Sequence, residues 1–172
     1  MLDSNLIFLV GMMGCGKSSI GRELARLLKL DFVDLDDEIK KATGKEINQI
    51  FEEEGEAFFR KKETEYLKML CEKERLIIST GGGIVLDPFN VEQMRSHGCV
   101  VYLGASKQTL IKRVQGTTHR PLLRHENWEK TLSNLVDERN SMYERAAHFE
   151  FNTDDKTALQ SAVSLYEELV EK

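Results

Sequence analysis

The chain is poor in proline and cysteine and has no long apolar run, and each shortage excludes a class of protein. Two prolines in 172 residues leave no Pro-rich linker. No internal repeat or low-complexity tract divides the chain, so its length fits one domain over 1–172. A chain of this size buries roughly 70% of the surface that its unfolded form exposes. Three cysteines are an odd number, and the Met1-Leu2-Asp3 start lacks the basic opening of a secretory signal. Reduced thiols and a cytoplasmic location are therefore expected, not a disulfide framework. The uncharged stretch from Ser4 to Gly16 is broken by Gly11, Gly14 and Gly16 and is too short to span a bilayer. Acidic residues outnumber basic ones, 29 against 24, giving a net charge of −5, a poor balance for general nucleic-acid binding.

Acidic residues are themselves missing between Glu92 and Glu126, where Arg95, Lys107, Lys112, Arg113, Arg120 and Arg124 fall. Such a stretch reads either as a local anion site or as a solvated face paired with acids elsewhere. Aromatic residues hardly interleave with these cations, Tyr102 being the one in the stretch, which argues against a single-strand nucleic-acid surface. Short apolar runs alternate with longer helical patterns. Leu6–Val10, Phe32–Val33, Leu76–Ile78, Val100–Leu103 and an edge segment Phe149–Phe151 read as strands. Helical patterns fall at about 17–29, 37–42, 46–53, 56–73, 88–97, 106–115, 128–146 and 155–170. This alternation predicts an α/β fold with a parallel sheet covered on both faces. The Gly- and Pro-bearing segment Gly116–Pro121 has no apolar periodicity. It reads as a connector or as a cation-bearing lid over about 115–127.

The sharpest signal is Gly11-Met12-Met13-Gly14-Cys15-Gly16-Lys17-Ser18, which fits G-x-x-x-x-G-K-[ST] at every fixed position. It lies between an expected buried strand and an amphipathic helix, as a phosphate loop must. Glycines let successive N–H groups converge on one point, and the following helix adds its positive end there. Lys17 then reaches the β- and γ-phosphates, while Ser18 offers a hydroxyl to Mg²⁺. Gly14, Cys15, Gly16, Lys17, Ser18 and Ser19 form the expected ATP-binding set. Cys15 either fills a variable position or is a thiol activated by the surrounding N–H dipoles.

Candidates for the acceptor side follow. Asp34 and Asp36 lie two apart after the second strand and are expected to face one crevice. One would hold water around Mg²⁺ and the other would meet an acceptor hydroxyl, whereas Asp37 fits a helix cap best. Arg60 and Glu63 are i, i+3 neighbours on the helix at about 56–73. They read either as a structural pair or as a guanidinium held ready for a carboxylate. Arg139 occupies the centre of the apolar stripe Trp128, Leu132, Leu135, Met142 and Ala146. A buried cation there needs a protein carboxylate or a bound anion. Thr80-Gly81-Gly82-Gly83 after the third strand suggests a close approach of ligand to backbone, or a simple turn. Ser79-Thr80 stand where many such proteins carry an acidic residue for magnesium, so Asp34 is the candidate to replace it.

Taken together, the chain resembles the shikimate kinases over nearly its whole length. The resemblance rests on residues 11–18, Asp-Leu-Asp at 34–36, Gly-Glu-Ala-Phe-Phe-Arg-Lys-Lys-Glu at 55–63 and Ser-Thr-Gly-Gly-Gly at 79–83. Arg-Pro-Leu-Leu at 120–123 and Glu-Arg-Asn-Ser-Met-Tyr at 138–143 complete it. It implies a five-stranded parallel sheet in the order 2-3-1-4-5, similar to nucleoside monophosphate kinases, with a substrate-binding helical region at about 34–63. It also implies phosphoryl transfer from ATP, with Mg²⁺, to the 3-hydroxyl of shikimate on the route to chorismate. Lys17, Asp36 and Arg120 would be catalytic. Asp36, Arg60, Gly81, Gly82, Gly83 and Arg139 would bind the acid, with Glu63 holding Arg60. Arg113 and Arg120 would join the ATP site, Ser18 and Asp34 the metal. Thr153 and Asp154 are weaker candidates near adenine. Small-molecule substrates, a monomeric state, and no nucleic-acid or membrane partner complete the expectation. A kinase for another hydroxylated acid such as gluconate, and a nucleotide-binding module without turnover, are the rivals.

Overall fold

The computed structural model describes residues 6–115 and 127–171. Five strands form one parallel sheet in the order β2-β3-β1-β4-β5, as expected. They are β1 (Leu6–Val10), β2 (Asp31–Asp34), β3 (Leu76–Ser79), β4 (Cys99–Gly104) and β5 (Phe149–Asn152). Neighbouring residues on a strand point to opposite faces, and every residue of β1 and β3 is buried, so both sheet faces are covered. The helices are α1 (Lys17–Leu28), α2 (Leu35–Thr43), α3 (Ile47–Glu53) and α4 (Glu56–Cys71). After them come α5 (Pro88–His97), α6 (Lys107–Val114), α7 (Trp128–Ala146) and α8 (Ala158–Val170).

The central strand carries the core. Ile7, Phe8, Leu9 and Val10 are fully shielded from solvent, and burying each such side chain stabilises the fold by about 1.5–3 kcal/mol. Its register sets Leu9 beside Ser79 of β3 and Val101 of β4, while Asp34 of β2 pairs with Ser79. The carboxyl ends of three strands thus converge where β1 runs into the Gly11–Ser18 loop. α1 buries Ile20, Leu24 and Ala25 and packs against α8. No helix among the described residues is long and apolar enough to cross a membrane.

Two boundaries differ from the sequence pattern for local reasons. α2 begins at Leu35, two residues before its expected start. The Asp34 carboxylate accepts a hydrogen bond from the Asp36 N–H at 3.1 Å and caps the helix. α8 begins at Ala158, three residues late. There Thr157 and Gln160 form a reciprocal capping box, and Asn152 accepts the Asp154 N–H at 2.7 Å to close a turn before it.

Candidate active site

The loop between β1 and α1 is built as its spacing predicts. Gly11, Gly14 and Gly16 have φ of 142°, 85° and 102°, conformations that side-chain-bearing residues rarely adopt. Gly16 caps α1 without any side-chain hydrogen bond, and the first turn holds no acidic residue. The free N–H groups and positive end of α1 are therefore available to an anion. Lys17 is 9% exposed, and its ammonium donates to the carbonyls of Gly11 at 2.7 Å and Met12 at 3.1 Å. It is held inside the loop that a phosphate would enter. Cys15 is buried and lies 3.8 Å from that ammonium.

Ser18, Asp34 and Ser79 meet at the strand ends. Ser18 Oγ donates to Asp34 Oδ2 at 2.5 Å and lies 3.2 Å from Ser79 Oγ. Asp34 thus reaches Ser18 from the neighbouring strand, where Ser79 offers no carboxylate. Its other oxygen is the α2 cap, so Asp34 and not Asp37 caps the helix; Asp37 instead pairs with Lys40 at 2.7 Å. Asp36 does face the crevice with Asp34, but from the first turn of α2 and not by strand alternation.

Two cavities open along this line. One, of about 440 Å³, is lined by Gly14, Cys15, Gly16, Lys17, Ser18, Ser19 and Arg113. The other, of about 560 Å³, is lined by Arg60, Glu63, Gly81, Gly83 and Arg139, with Phe51 and Phe59 as an apolar wall. Asp34, Asp36 and Gly82 line both. A group bound in either cavity faces these three residues.

The second cavity sets two held arginines, Arg60 and Arg139, into a wall that also carries acidic residues. Arg60 donates to Glu63 Oε2 at 2.8 Å and to Glu56 Oε1 at 3.1 and 3.2 Å. Its guanidinium stands 5.3 Å from the centre of the Phe59 ring. Glu63 is fully buried. Burial pushes its carboxyl up to about 7, although Arg60 pulls it the other way. Arg139 is 8% exposed and donates to the Gly82 carbonyl at 3.3 Å. Tyr143, one turn further on α7, donates to the same oxygen. Among the described residues no carboxylate pairs with Arg139 within 4.0 Å. A bound anion is therefore the partner that fits a buried guanidinium.

The glycine triplet lies in a turn, one of the two readings expected, which the Ile84 N–H closes by donating to the Gly81 carbonyl at 3.2 Å. None of Gly81, Gly82 and Gly83 has a positive φ, so the turn itself does not demand glycine. A Cβ on Gly81 would sit 2.6 Å from Glu63 Oε1, and one on Gly83 would strike the Arg60 guanidinium. Those two make room for site side chains, and Gly82 alone lies open between the cavities.

Arg113 donates to Thr153 O at 2.7 Å and Thr153 Oγ1 at 3.0 Å while lining the first cavity. Thr153 anchors it, and Asp154 accepts from the Ser106 N–H at 3.0 Å; neither lines either of these two cavities. Arg120 lies outside the described residues, as do residues 116–126 of the expected lid. Lys156, Ala158 and Ser161 line the first cavity, and Ile47 and Asn48 line the second, without having been singled out by sequence. Tyr143 and Glu56 were within reach, because each is four residues from an arginine already noted.

Comparison with known proteins agrees with this geometry. A family profile described as shikimate kinase matches residues 13–170. A shikimate kinase of Coxiella burnetii is 42% identical over 165 residues, covering 95% of this chain and 92% of its own. The chain belongs to the shikimate kinase family. A second shikimate kinase, from Legionella pneumophila, is 43% identical over 151 residues, covering 88% of this chain and 86% of its own. Among solved structures, a shikimate kinase from Acinetobacter baumannii in complex with shikimate superposes with a TM-score of 0.95. It is 37% identical and covers 98% of this chain and 94% of its own. A deoxyadenosine kinase from M. mycoides, 17% identical with a TM-score of 0.61, covers 97% of this chain and all (100%) of its own. It shares the fold alone. Family membership makes the chain an enzyme, a kinase of the three-layer α/β type.

Proposed function

We propose that the chain transfers the γ-phosphoryl group of ATP to the 3-hydroxyl of shikimate. The single observation that carries this reading is the meeting of two cavities at Asp34, Asp36 and Gly82. One cavity is built for a triphosphate and the other for a small hydroxylated acid.

The loop amides and the start of α1 hold the β-phosphate, and Lys17 leaves its carbonyl partners to follow the γ-phosphoryl group. In the other cavity Arg60 and Arg139 grip the carboxylate, and Gly82 lies against the ring. Asp36 accepts the hydrogen bond of the attacking hydroxyl and takes its proton as the new O–P bond forms, the bond from the γ-phosphorus to the β,γ-bridging oxygen breaks and ADP leaves. Its main contribution is orientation, because phosphoryl transfer passes through a loose transition state. Arg120 adds positive charge to the equatorial oxygens.

Ser18 and Asp34 suit Mg²⁺. A hydroxyl and a single carboxylate touch at the phosphate end, and no group of three metal-binding side chains is found among the described residues. That sparse donor set matches an ion held mostly by phosphate oxygens and water. When bound there, Mg²⁺ neutralises charge on the β- and γ-phosphates. The reading extends to a single kinase domain working as a cytoplasmic monomer, with a lid over about 115–127.

The test is ADP formation with shikimate, gluconate and nucleoside monophosphates compared side by side. Stimulation by shikimate alone is expected. No stimulation by shikimate above the ATP-only background would refute the proposal.

A further inference from the structure

Ser161 is the polar exception on the buried face of α8. Ala162, Leu165 and Leu169 complete that face, which packs against α1. Ser161 is only 1% exposed, yet among the described residues its hydroxyl has no hydrogen-bond partner. A serine inside a helix ordinarily relieves this by donating to the carbonyl four residues earlier. Here the Thr157 carbonyl takes the Ser161 N–H at 2.9 Å, and the hydroxyl does not join it.

The same residue lines the nucleotide cavity. Ala158, one turn earlier on the same helix face, lines it too, as do Lys156, Ile20 and Arg113. The phosphates are already provided for by Gly16, Lys17 and Ser18. What α8 and the segment before it add to the cavity is therefore left for the nucleoside. A hydroxyl both donates and accepts, so it can meet either a sugar hydroxyl or a polar atom of the base.

We infer that Ser161 Oγ hydrogen-bonds to the nucleoside part of bound ATP, and that its lack of a protein partner is the place kept for that contact. The inference rests on the nucleotide reading above and assigns a residue of α8 to it. It has two signatures of opposite sign. In the free protein an unpartnered buried hydroxyl is a cost, so its removal leaves the fold as stable or more so. In the complex the hydroxyl gains its partner, so its removal weakens nucleotide binding.

The experiment compares the full wild-type chain with Ser161→Ala. Binding of ATP, 2′-deoxy-ATP and tripolyphosphate is followed by titration calorimetry, melting by calorimetry without ligand, and KM for both substrates by ADP release. The variant is expected to bind ATP roughly three- to tenfold more weakly, the worth of one neutral hydrogen bond. Tripolyphosphate affinity and KM for the acid move less than twofold, and the ligand-free Tm does not fall. A penalty that vanishes with 2′-deoxy-ATP places the contact on the 2′-hydroxyl; one that persists places it elsewhere on the nucleoside, and both support the inference. Unchanged ATP affinity overturns it. So does a lowered ligand-free Tm with ATP and tripolyphosphate weakened alike, because the hydroxyl is then structural. Absence of shikimate-dependent turnover in the wild type would count against the proposed reaction, while the calorimetric comparison would still decide the role of Ser161.

Discussion

Glu63 gives the most demanding test of the clamp, because its effect on stability has a definite sign and size. Its carboxyl is fully buried, with one oxygen 2.8 Å from Arg60 and the other, beside Gly81, without a hydrogen-bond partner among the described residues. Burial pushes it from 4.5 up to about 7. The folded state therefore binds a proton that the unfolded state has released between those two values. Stability from this group is fully present below pH 4.5 and is lost as pH rises through about 7. A tenfold change in proton affinity is worth about 1.4 kcal/mol, so the whole effect is on the order of 3 kcal/mol. In a chain of this size that corresponds to roughly 6–12 °C in Tm. Glu63→Gln removes the titrating group while keeping its shape and an acceptor for Arg60. Thermal melts of both proteins from pH 5 to pH 8 isolate the group by difference, because every other titration is shared. The wild type should lose stability relative to Glu63→Gln as pH rises and then run parallel to it above about pH 8. Parallel profiles throughout, or a gap that opens the other way, would refute the reasoning.

Other consequences are checked by kinetics. Arg60→Ala removes charge-assisted hydrogen bonds worth about 1.5–3 kcal/mol, so KM for shikimate should rise roughly 10- to 100-fold with the Kd for ATP unchanged; a change confined to ATP would contradict the clamp. Asp36→Ala should lower kcat by about 10²–10⁴ with Tm retained, and an unchanged rate would reject its role. Gly83→Ala forces the Arg60 guanidinium aside, and because that is the far end of a flexible side chain the fold is kept. It should reproduce the acid-binding defect of Arg60→Ala in milder form, whereas normal acid binding would show that the arginine has room to move.

What the sequence made legible was local. The phosphate loop is contiguous, and its glycines, lysine and serine do their work within one turn of each other. The Arg60–Glu63 pair is set by helix spacing, and Arg139 stood out as a charge in an apolar stripe. Asp36 was expected to reach the crevice by strand alternation, but it does so from the first turn of α2, because Asp34 caps α2 and ends β2 at once. The glycine triplet was linked to the site, but the side chains that need Gly81 and Gly83 come from α4. Lys156 and Ser161 left no trace in any periodic pattern. Their place follows from α8 packing on α1, a tertiary contact between segments more than a hundred residues apart.

The most direct measurement is a crystal structure of the protein with ADP and shikimate bound together. The account predicts the acid's carboxylate between Arg60 and Arg139, and its 3-hydroxyl at Asp36, turned toward the diphosphate held by the Gly11–Ser18 loop. A carboxylate seated elsewhere, with both arginines still engaged only by protein groups, would contradict it.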